Sequence, residues 1–580
     1  MLTGNTFTTL IAGLLAIAGV SGIGRQLLRP WPALPLHWYV ALSMLAGMAA
    51  CSLLVQLLAM LGAGQSGFAT QGALIVILGL IGHFLPGKRW TAMPWPPKQG
   101  VVTALWIVLA LAAAILLLIS LAPSSKMDEL YYHMLIGQRI AADHQLRVYQ
   151  LPYEQAILVQ IGYQIAQTPF HAWGVMDGGN VLSLGFALAL LLMLYGTVAD
   201  ETDKPELGLI AALAGAVGLY PAVWHVTAGP HALGDLATFT AIAALLFPGK
   251  LAQAADEAGA QRRALVCILA AACAASTKIS LIPISAMLSA CACWQLPRTA
   301  WPRVGLAAAA IWGLILGPLM IWSFVHTHSP FGAAFAGVFA ATTYGPEVAQ
   351  AMDVSRMAGR LGLGTVLYNT ALRLNGLSIV IMLLGALACW RSRGMHRLFL
   401  IMILVQIGLI AALLPYDYRF LGGLQYGLLA AGMIAIAPHW PRPGLRLAAI
   451  ALLAPWLVAE AIYALPMMGV SLGLTTRAAF VDRYVAFAAD FRALDRVLPP
   501  NAVLYVPERR IPSVYAPRPV ITDRADWDHR SPLFAFTYDE TANSGCGAVV
   551  YRNPAAVVQV FRTPGRPSYR APLTVTRCAP

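Results

Sequence analysis

The chain is poor in charged residues. Asp, Glu, Lys and Arg make up 11% of its 580 residues, against about 25% in ordinary soluble domains. Hydrophobic residues make up 59%, and the mean hydropathy is +0.69. This composition excludes a soluble enzyme held by a single anchor, and it predicts a polytopic membrane protein.

Several motifs of nucleotide and hydrolase chemistry are also missing. The sequence has no P-loop, no GxGxxG after a strand and no Ser/His/Asp hydrolase signature, so ATP hydrolysis is not predicted. No basic stretch precedes the first apolar run, so we expect no cleaved signal peptide. Internal repeats and low-complexity tracts are absent as well.

Cysteine is scarce, and its placement is informative. Six of the eight cysteines lie within apolar runs, where a thiol most often acts as a small hydrophobe. Cys291 and Cys293 lack a second pair at zinc spacing, so a zinc site is not predicted there. Cys546 and Cys578 lie in a polar C-terminal region. They form a disulfide or remain free thiols depending on the compartment and on a distance that sequence cannot supply.

Apolar runs of membrane-spanning character are abundant. A span needs roughly 20 mostly apolar residues, and we expect 12 to 14 spans because several runs are short. The runs are 7–24, 36–63, 68–86, 101–122, 180–198, 208–226, 235–248, 264–277, 279–295, 304–325, 376–390, 398–414, 421–438 and 447–466.

The basic residues form short clusters between these runs. A formal net charge of +13 could indicate a nucleic-acid partner, but the clusters follow the positive-inside pattern of a membrane protein, so no nucleic acid is expected. They follow the first, third, seventh, ninth, eleventh and thirteenth runs, which places those loops on one side, the cytoplasm. The acidic loop 200–204 disagrees, although acidic residues count little in this rule. The periplasmic face of a bacterial inner membrane then holds the segment 125–173, Lys278, the loop 326–375 and the chain after about residue 467.

The last part of the chain changes character. From residue 467 charge, Pro and Arg become common, and a short helix is predicted at 488–497. Runs typical of β-strands follow at 503–506, 520–522, 548–551, 557–561 and 573–576. These features predict a small α/β domain of about 110 residues outside the membrane.

Two adjacent carboxylates follow the fourth apolar run. Asp128 and Glu129 would lie at the mouth of a membrane helix, where charge is costly, so they are candidate catalytic residues or metal ligands. The alternative is structural, with Asp128 as the N-cap of a helix that starts at Glu129. The pattern of 129–142 predicts an amphipathic helix along the membrane interface. Tyr132 and His133 would lie at headgroup depth as substrate contacts, or with Tyr131 as an aromatic belt.

Further polar residues interrupt or border the later runs. Asp235 is a helix N-cap or a second polar group of the site. Lys278 suits phosphate pairing, with snorkelling as the alternative. Arg419 pairs with phosphate or with the nearby Asp417. His326 and His328 would share a face if the chain is extended there, as donor contacts or plain loop residues.

The long loop 326–375 is a candidate acceptor or lid region. It contains five charged residues, Glu347, Asp353, Arg356, Arg360 and Arg373. On this hypothesis, its deletion impairs turnover more than folding.

The order of these motifs resembles that of GT-C glycosyltransferases. The first extracytoplasmic loop of that superfamily is similar to one stretch of this chain, which consists of an apolar run, MDELYYHML, LPYEQ and a re-entering helix. The closest likeness is to the bacterial branch related to protein O-mannosyltransferases and lipid A aminoarabinose transferases. Later segments of the family resemble three further motifs of this chain: GDLATF at Asp235, ASTK ending in Lys278 and YRFL at Arg419. The motif HSPF at His328 departs from the Gly-Asn-Pro that is usual in the family. The resemblance covers residues 101–580.

The resemblance implies a function. The donor would be a sugar on polyprenyl phosphate, the acceptor a lipid, glycan or protein, and transfer would invert the sugar carbon. Asp128 would be the catalytic base with Glu129 beside it, and Lys278 and Arg419 would bind the donor phosphate. Relatives differ in whether they use a divalent cation, so Mg²⁺ or Mn²⁺ held by Asp128 and Asp235 stays open.

The same resemblance divides the chain into three parts. Residues 1–100 are an added N-terminal transmembrane module. Residues 101–466 are the GT-C-like catalytic region with periplasmic loops 123–179 and 326–375, and residues 467–580 are a soluble periplasmic domain. The rival functions are a transporter or flippase for a lipid-linked glycan and a non-catalytic assembly subunit.

Overall fold

A computed structural model describes most of the chain. The described residues are 6–86, 90–91, 100–149, 160–252, 257–335, 338–339, 343, 373–413, 421–440, 442–506, 511–521, 524, 527–538, 546–560 and 568–578.

The described structure is mostly helical, with a small sheet near the C-terminus. Fourteen helices are predominantly apolar: α1 (Thr6–Leu27), α2 (Leu36–Leu61), α3 (Gln65–Phe84), α4 (Gly100–Ser120), α8 (Gly178–Thr202), α9 (Pro205–Ala216), α10 (His231–Leu246), α11 (Glu257–Ala275), α12 (Ile282–Trp294), α13 (Trp301–Thr327), α14 (Gly376–Arg391), α15 (Met395–Leu413), α16 (Leu424–Ile436) and α17 (Pro443–Ser471). Five further helices are short: α5 (Met134–Asp143), α6 (Gly162–Ile165), α7 (Thr168–Ala172), α18 (Arg477–Tyr484) and α19 (Ala488–Val497).

Each predicted apolar run coincides with one of the fourteen apolar helices. Eight helices in the described residues are long and apolar enough to cross a membrane, and several of the others are shorter apolar helices. The sixth run is the main exception, because α9 ends at Ala216 and the chain forms a π-helical turn at Pro221–His225. Pro221 has no backbone N–H and disfavours continuation of the preceding helix.

The apolar helices pack into one core. α8 and α10 are buried on nearly all sides and α11 over its C-terminal part, whereas α4, α13 and α17 expose most of their apolar surface. A helix that is apolar all round is stable only inside a large core or against hydrocarbon. The outer helices therefore present the apolar surface that lipid would cover.

Segments that join the helices gather at two ends of this bundle. At one end Lys204 Nζ donates to the Ala437 carbonyl at 2.6 Å, and Arg446 pairs with Glu206 at 3.4 Å. His37 approaches Asp200 at 3.8 Å, also at that end. We call this the charged end, and the acidic loop 200–204 belongs to it. The opposite end is covered by the C-terminal domain, and we call it the covered end.

The C-terminal domain contains a five-stranded mixed sheet. Its strands are β1 (Val503–Tyr505), β2 (Val520–Ile521), β3 (Leu533–Tyr538), β4 (Val549–Gln559) and β5 (Tyr569–Arg577), in the order β2-β1-β3-β5-β4. β1 pairs in parallel with β2 and β3, and the other pairs are antiparallel. Phe487, Phe491 and Phe536 form the centre of its core.

The predictions for this domain are confirmed in outline and wrong in two details. The helix expected at 488–497 is α19, and a small sheet follows it. However, the two runs at 548–551 and 557–561 belong to the single strand β4, which register shifts interrupt. Strand β3 was not predicted. Cys546 and Cys578 form a disulfide, which resolves the open alternative.

Candidate functional site

The segment after α4 forms a helix with an irregular start. A π-helical turn, Glu129–His133, leads directly into α5. Asp128 has helical backbone angles and makes no capping hydrogen bond with its side chain, so the N-cap interpretation of Asp128 is wrong. π-helical turns are rare and occur frequently at functional sites.

This helix is packed between the bundle and the C-terminal domain. Leu130 and Met134 contact Val481 and Val514 of the C-terminal domain, whereas Ile140 packs against the bundle near α2. A helical segment is therefore confirmed over 129–142, while its position along the membrane interface stays a prediction. Two apolar faces are covered by protein, which a single-face pattern could not reveal.

The aromatic residues of the turn are inside the protein. Tyr131 is buried with 4% exposure, so it does not belong to an exposed aromatic belt. The Tyr132 ring lies 3.9 Å from that of His133, centroid to centroid. His133 is also buried, and its Nδ1 accepts a hydrogen bond from Nε2 of Gln164 at 3.0 Å.

Two lysines and two histidines meet beside the turn. Lys126 Nζ lies 3.9 Å from Glu129 Oε1 and 5.7 Å from the centre of the Trp224 ring. Lys278 Nζ lies 2.6 Å from Nδ1 of His231. Because an ammonium group only donates, Nδ1 of His231 is the acceptor.

Ring contacts join these pairs into one group. The His231 ring lies 4.7 Å from the Trp224 ring and 5.8 Å from the His133 ring. We call the group formed by Lys126, Glu129, His133, Gln164, Trp224, His231 and Lys278 the polar cluster. It combines one buried carboxylate with two ammonium groups, and Asp128 lies between Lys126 and Glu129 in the sequence.

Asp235 lies one turn further along α10 from His231. Its Oδ2 accepts hydrogen bonds from the Tyr220 hydroxyl at 3.0 Å and from Nε2 of His225 at 2.9 Å. All three side chains are buried, with 1 to 2% exposure. Because α10 begins at His231, Asp235 is not the N-cap of that helix, and the first alternative is wrong. It is a buried polar group adjoining the polar cluster.

The second π-helical turn, Pro221–His225, joins the two groups. Trp224 belongs to the polar cluster, and His225 donates a hydrogen bond to Asp235. Both irregular turns thus contribute side chains to the same region.

Lys278 lies where one apolar helix ends and the next begins. Its backbone is extended, between α11 and the short 3-10 turn Ile279–Leu281. The neighbouring Ile279 N–H donates to Oε1 of Gln160 at 2.6 Å, which ties this junction to the segment after α5. The side chain is half-buried and points to His231, so it does not simply snorkel.

The C-terminal domain holds the entry to this segment. Tyr515 donates to the Ser124 carbonyl at 2.9 Å. Asp177 accepts from the Ser124 N–H at 3.0 Å and from Arg477 at 2.5 Å. Burial, with Asp177 and Glu129 nearby, raises the pKa of Tyr515 well above its usual range. Tyr515 is therefore a neutral donor, and Ser124 is fixed four residues before Asp128.

Other predicted residues lie at the end of α13 or outside the described residues. His326 is in the last turn of α13 and stacks on Trp322, while His328 follows that helix in a left-handed conformation. Both are exposed, and the assumption of an extended chain is wrong there. Arg419, Asp417 and LPYEQ lie outside the described residues, as do Glu347, Asp353, Arg356 and Arg360.

Sequence reasoning missed about half of the polar cluster. Lys126, Gln164, Trp224 and His231 were not predicted, and neither were the partners of Asp235. One usable signal was the stretch PAVWHVTAGPHALGD, in which two histidines and a tryptophan interrupt an apolar region. Isolated polar residues at membrane depth are costly, so they indicate either function or a partner.

The described residues do not form an evident metal site. Nowhere among them do three or more His, Cys, Asp or Glu side chains come together in a way that could hold a metal ion. Asp235 uses one oxygen for Tyr220 and His225. We therefore derive no step through a cation.

Comparisons with known proteins assign no family to the chain. No protein-family model, curated protein or solved structure matches it.

Proposed function

We propose that this chain is an integral membrane glycosyltransferase of the bacterial inner membrane. It moves a sugar from a polyprenyl-phosphate donor to a lipid, glycan or protein acceptor at the periplasmic face. The observation that carries the proposal is the polar cluster, in which the buried Glu129 carboxylate and two lysines meet at the covered end of an apolar bundle, with Asp128 next to Glu129 in the sequence. Buried charges that are costly near hydrocarbon indicate a functional site.

The two carboxylates have different roles. Glu129 is buried and pairs with Lys126, so it holds this cation in place. Asp128 is half-buried, so an acceptor can reach it. As general base it takes the proton from the acceptor hydroxyl or amine, and the acceptor atom attacks the sugar carbon.

The lysines serve the leaving group. When the bond from the sugar carbon to the phosphate oxygen breaks, negative charge develops on polyprenyl phosphate. Lys126 and Lys278 provide positive charge on two sides of His231 and Trp224. Preorganised cations at the place where charge develops are a large source of catalysis. Attack opposite the leaving phosphate inverts the sugar carbon.

The test is release and transfer of sugar from a panel of polyprenyl-phosphate sugars in detergent. Asp128→Asn should lower turnover by about 10²- to 10⁴-fold, the usual contribution of a general base, with donor binding retained. Asp203→Asn is the matched control, because Asp203 is an exposed carboxylate at the charged end, and Asn tolerates its left-handed backbone conformation. It should keep wild-type turnover.

Other outcomes would refute parts of the proposal. Equal turnover in wild type and Asp128→Asn would remove Asp128 as base and make Asp235 the next candidate. Movement of a lipid-linked glycan across vesicles without a new glycosidic bond would instead establish a transporter or flippase. Unchanged function of Asp128→Asn in cells, with no turnover in any assay, would indicate a non-catalytic assembly subunit.

A further inference from the structure

A large cavity lies beside the polar cluster, on another side of α5. Its volume is about 690 Å³, within the range of about 300 to 1,000 Å³ of small-molecule sites. It is lined by α5, residues 171–177, α18, α19, residues 514–517 and Thr9 of α1. The bundle and the C-terminal domain therefore build it together.

The charges around the cavity compensate one another. Arg477 pairs with Asp177, Arg492 pairs with Asp482, and Asp495 pairs with Arg518. His171 adds no charge at neutral pH, because burial lowers the pKa of its imidazole to about 4. A ligand of high charge would find no excess of opposite charge among the described residues of this wall.

Polar side chains contribute to the wall of the cavity. The His171 imidazole and the Arg477 guanidinium are among them. Gln138 adds a carboxamide to the wall. Gly137 leaves room for the His171 ring, since a Cβ there would lie 2.8 Å from Cδ2 of that ring. Imidazole, guanidinium and carboxamide groups at the surface of a cavity can exchange hydrogen bonds with the hydroxyl groups of a ligand.

Apolar and aromatic surface alternates with these groups. Phe491, Val481, Val514 and Met176 line the same cavity. A lipid chain would require a continuous apolar wall, and an anion would require unpaired cations. The mixture of neutral polar groups with apolar patches suits a molecule that presents both hydroxyl groups and C–H faces.

We propose that this cavity binds a neutral oligosaccharide and is the subsite for an acceptor glycan. The assignment of the acceptor rests on the proposed transferase function. The position of the cavity agrees with an acceptor subsite, because Asp177 and Tyr515 line the cavity and also bind Ser124, four residues before Asp128. The glycan would lie along the helix whose first turn carries Glu129.

Binding can be measured without turnover by protection of a thiol. Ala142 lines the cavity and is exposed, so Ala142→Cys in the full-length protein should react with a maleimide. The probes are maltotriose, cellotriose and chitotriose, with trialanine for comparison, and the label at position 142 is quantified by mass spectrometry. At ten times its dissociation constant, a bound trisaccharide should slow labelling about tenfold.

Two neighbouring alanines provide matched variants. Ala478 lines the cavity, whereas Ala479 is exposed and does not. In the Ala142→Cys background, Ala478→Trp should abolish protection, and Ala479→Trp should retain it. Ala478→Phe serves the same purpose if the larger substitution does not fold.

The outcomes separate this inference from the proposed function. Protection by a trisaccharide that Ala478→Trp removes would support the site, even if no donor is turned over. Transfer to a glycan acceptor without protection by any trisaccharide would overturn the site and leave the transferase in place. Protection by trialanine alone, or equal protection in both tryptophan variants, would also overturn it.

Discussion

At the scale of single residues, Asp235 is the clearest case of a buried charge with defined partners. Asp235→Asn should lower the free energy of unfolding by about 1 to 3 kcal/mol, because one carboxylate oxygen accepts from both Tyr220 and His225, and a neutral amide oxygen in its place accepts more weakly. Chemical unfolding in detergent measures the change. Thr240→Val in the same helix is the control, since the partner of the Thr240 hydroxyl among the described residues is the Leu236 carbonyl of its own helix. Equal losses in both variants would contradict a special role for Asp235.

His171 should make stability depend on pH. Burial lowers its pKa from 6.5 to about 4, so between these values the unfolded chain binds more protons, and stability falls as pH falls from about 7 to 4. The shift corresponds to about 3 kcal/mol at most. The unfolding midpoint is measured for the wild type and for His171→Gln at several pH values in this range. As the pH falls, the difference between the two midpoints should grow, because the variant loses less stability.

The control for this pH series is His144→Asn. His144 is exposed after the end of α5 and adopts a left-handed conformation that Asn tolerates. If His171→Gln lost as much stability in acid as the wild type does, the assignment of the pH dependence to His171 would be contradicted.

The residues of the site could be predicted only where chemistry is visible in one stretch. Asp128, Glu129 and His133 were selected because charge follows directly after an apolar run. Trp224 and His231 follow about 100 residues later, in the second π-helical turn and at the start of α10, and only packing brings them to Lys126 and His133. A sequence pattern reports which residues are costly to bury but does not report their partners.

At the scale of secondary-structure elements, one ion pair joins the C-terminal domain to the bundle. Arg477, the first residue of α18, pairs with Asp177, which precedes α8. Arg477→Ala should cost about 3 to 5 kcal/mol, since it leaves the buried Asp177 charge without its cation. A double-mutant cycle with Asp177→Asn, measured by unfolding in detergent, should give a coupling above about 1 kcal/mol.

The exposed pair of Arg492 and Asp482 is the control for this cycle. Its side chains are 51% and 37% exposed, and exposed pairs contribute about 0 to 1 kcal/mol. A coupling between Arg477 and Asp177 that is no larger than this would show that the pair does not hold the domain.

The elements themselves followed from periodicity and composition, with informative exceptions. Apolar runs predicted the fourteen apolar helices because hydrocarbon and a helical core demand the same residues. The turn Glu129–His133 and the two-sided burial of α5 could not be predicted, because they depend on α18 and residues 514–515 folding back onto that helix. Strand β3 was missed because every residue of it but the last is buried, which removes the alternation that marks a half-exposed strand.

At the scale of the whole molecule, charge and site lie at opposite ends of the bundle. Lys204 and Arg446 are at the charged end, whereas the polar cluster, the large cavity and the disulfide Cys546–Cys578 are at or beyond the covered end. Positive charge favours the cytoplasm, and a disulfide persists in an oxidising compartment. Two independent properties thus favour the same orientation, with the covered end in the periplasm.

This orientation can be tested with a matched pair of thiols. Thr475 precedes α18 at the covered end, and Thr299 precedes α13 at the other end; both are exposed. In bacteria with a permeabilised outer membrane, an impermeant maleimide should label Thr475→Cys and spare Thr299→Cys until the inner membrane is lysed. The amount of label on the wild-type protein measures the reaction of the native thiols and is subtracted. The reverse pattern would place the polar cluster in the cytoplasm, where a polyprenyl-phosphate donor would have to be used from the other leaflet and the disulfide would be reduced. Labelling thus decides whether the basic clusters orient the chain and whether the proposed reaction has access to a periplasmic acceptor.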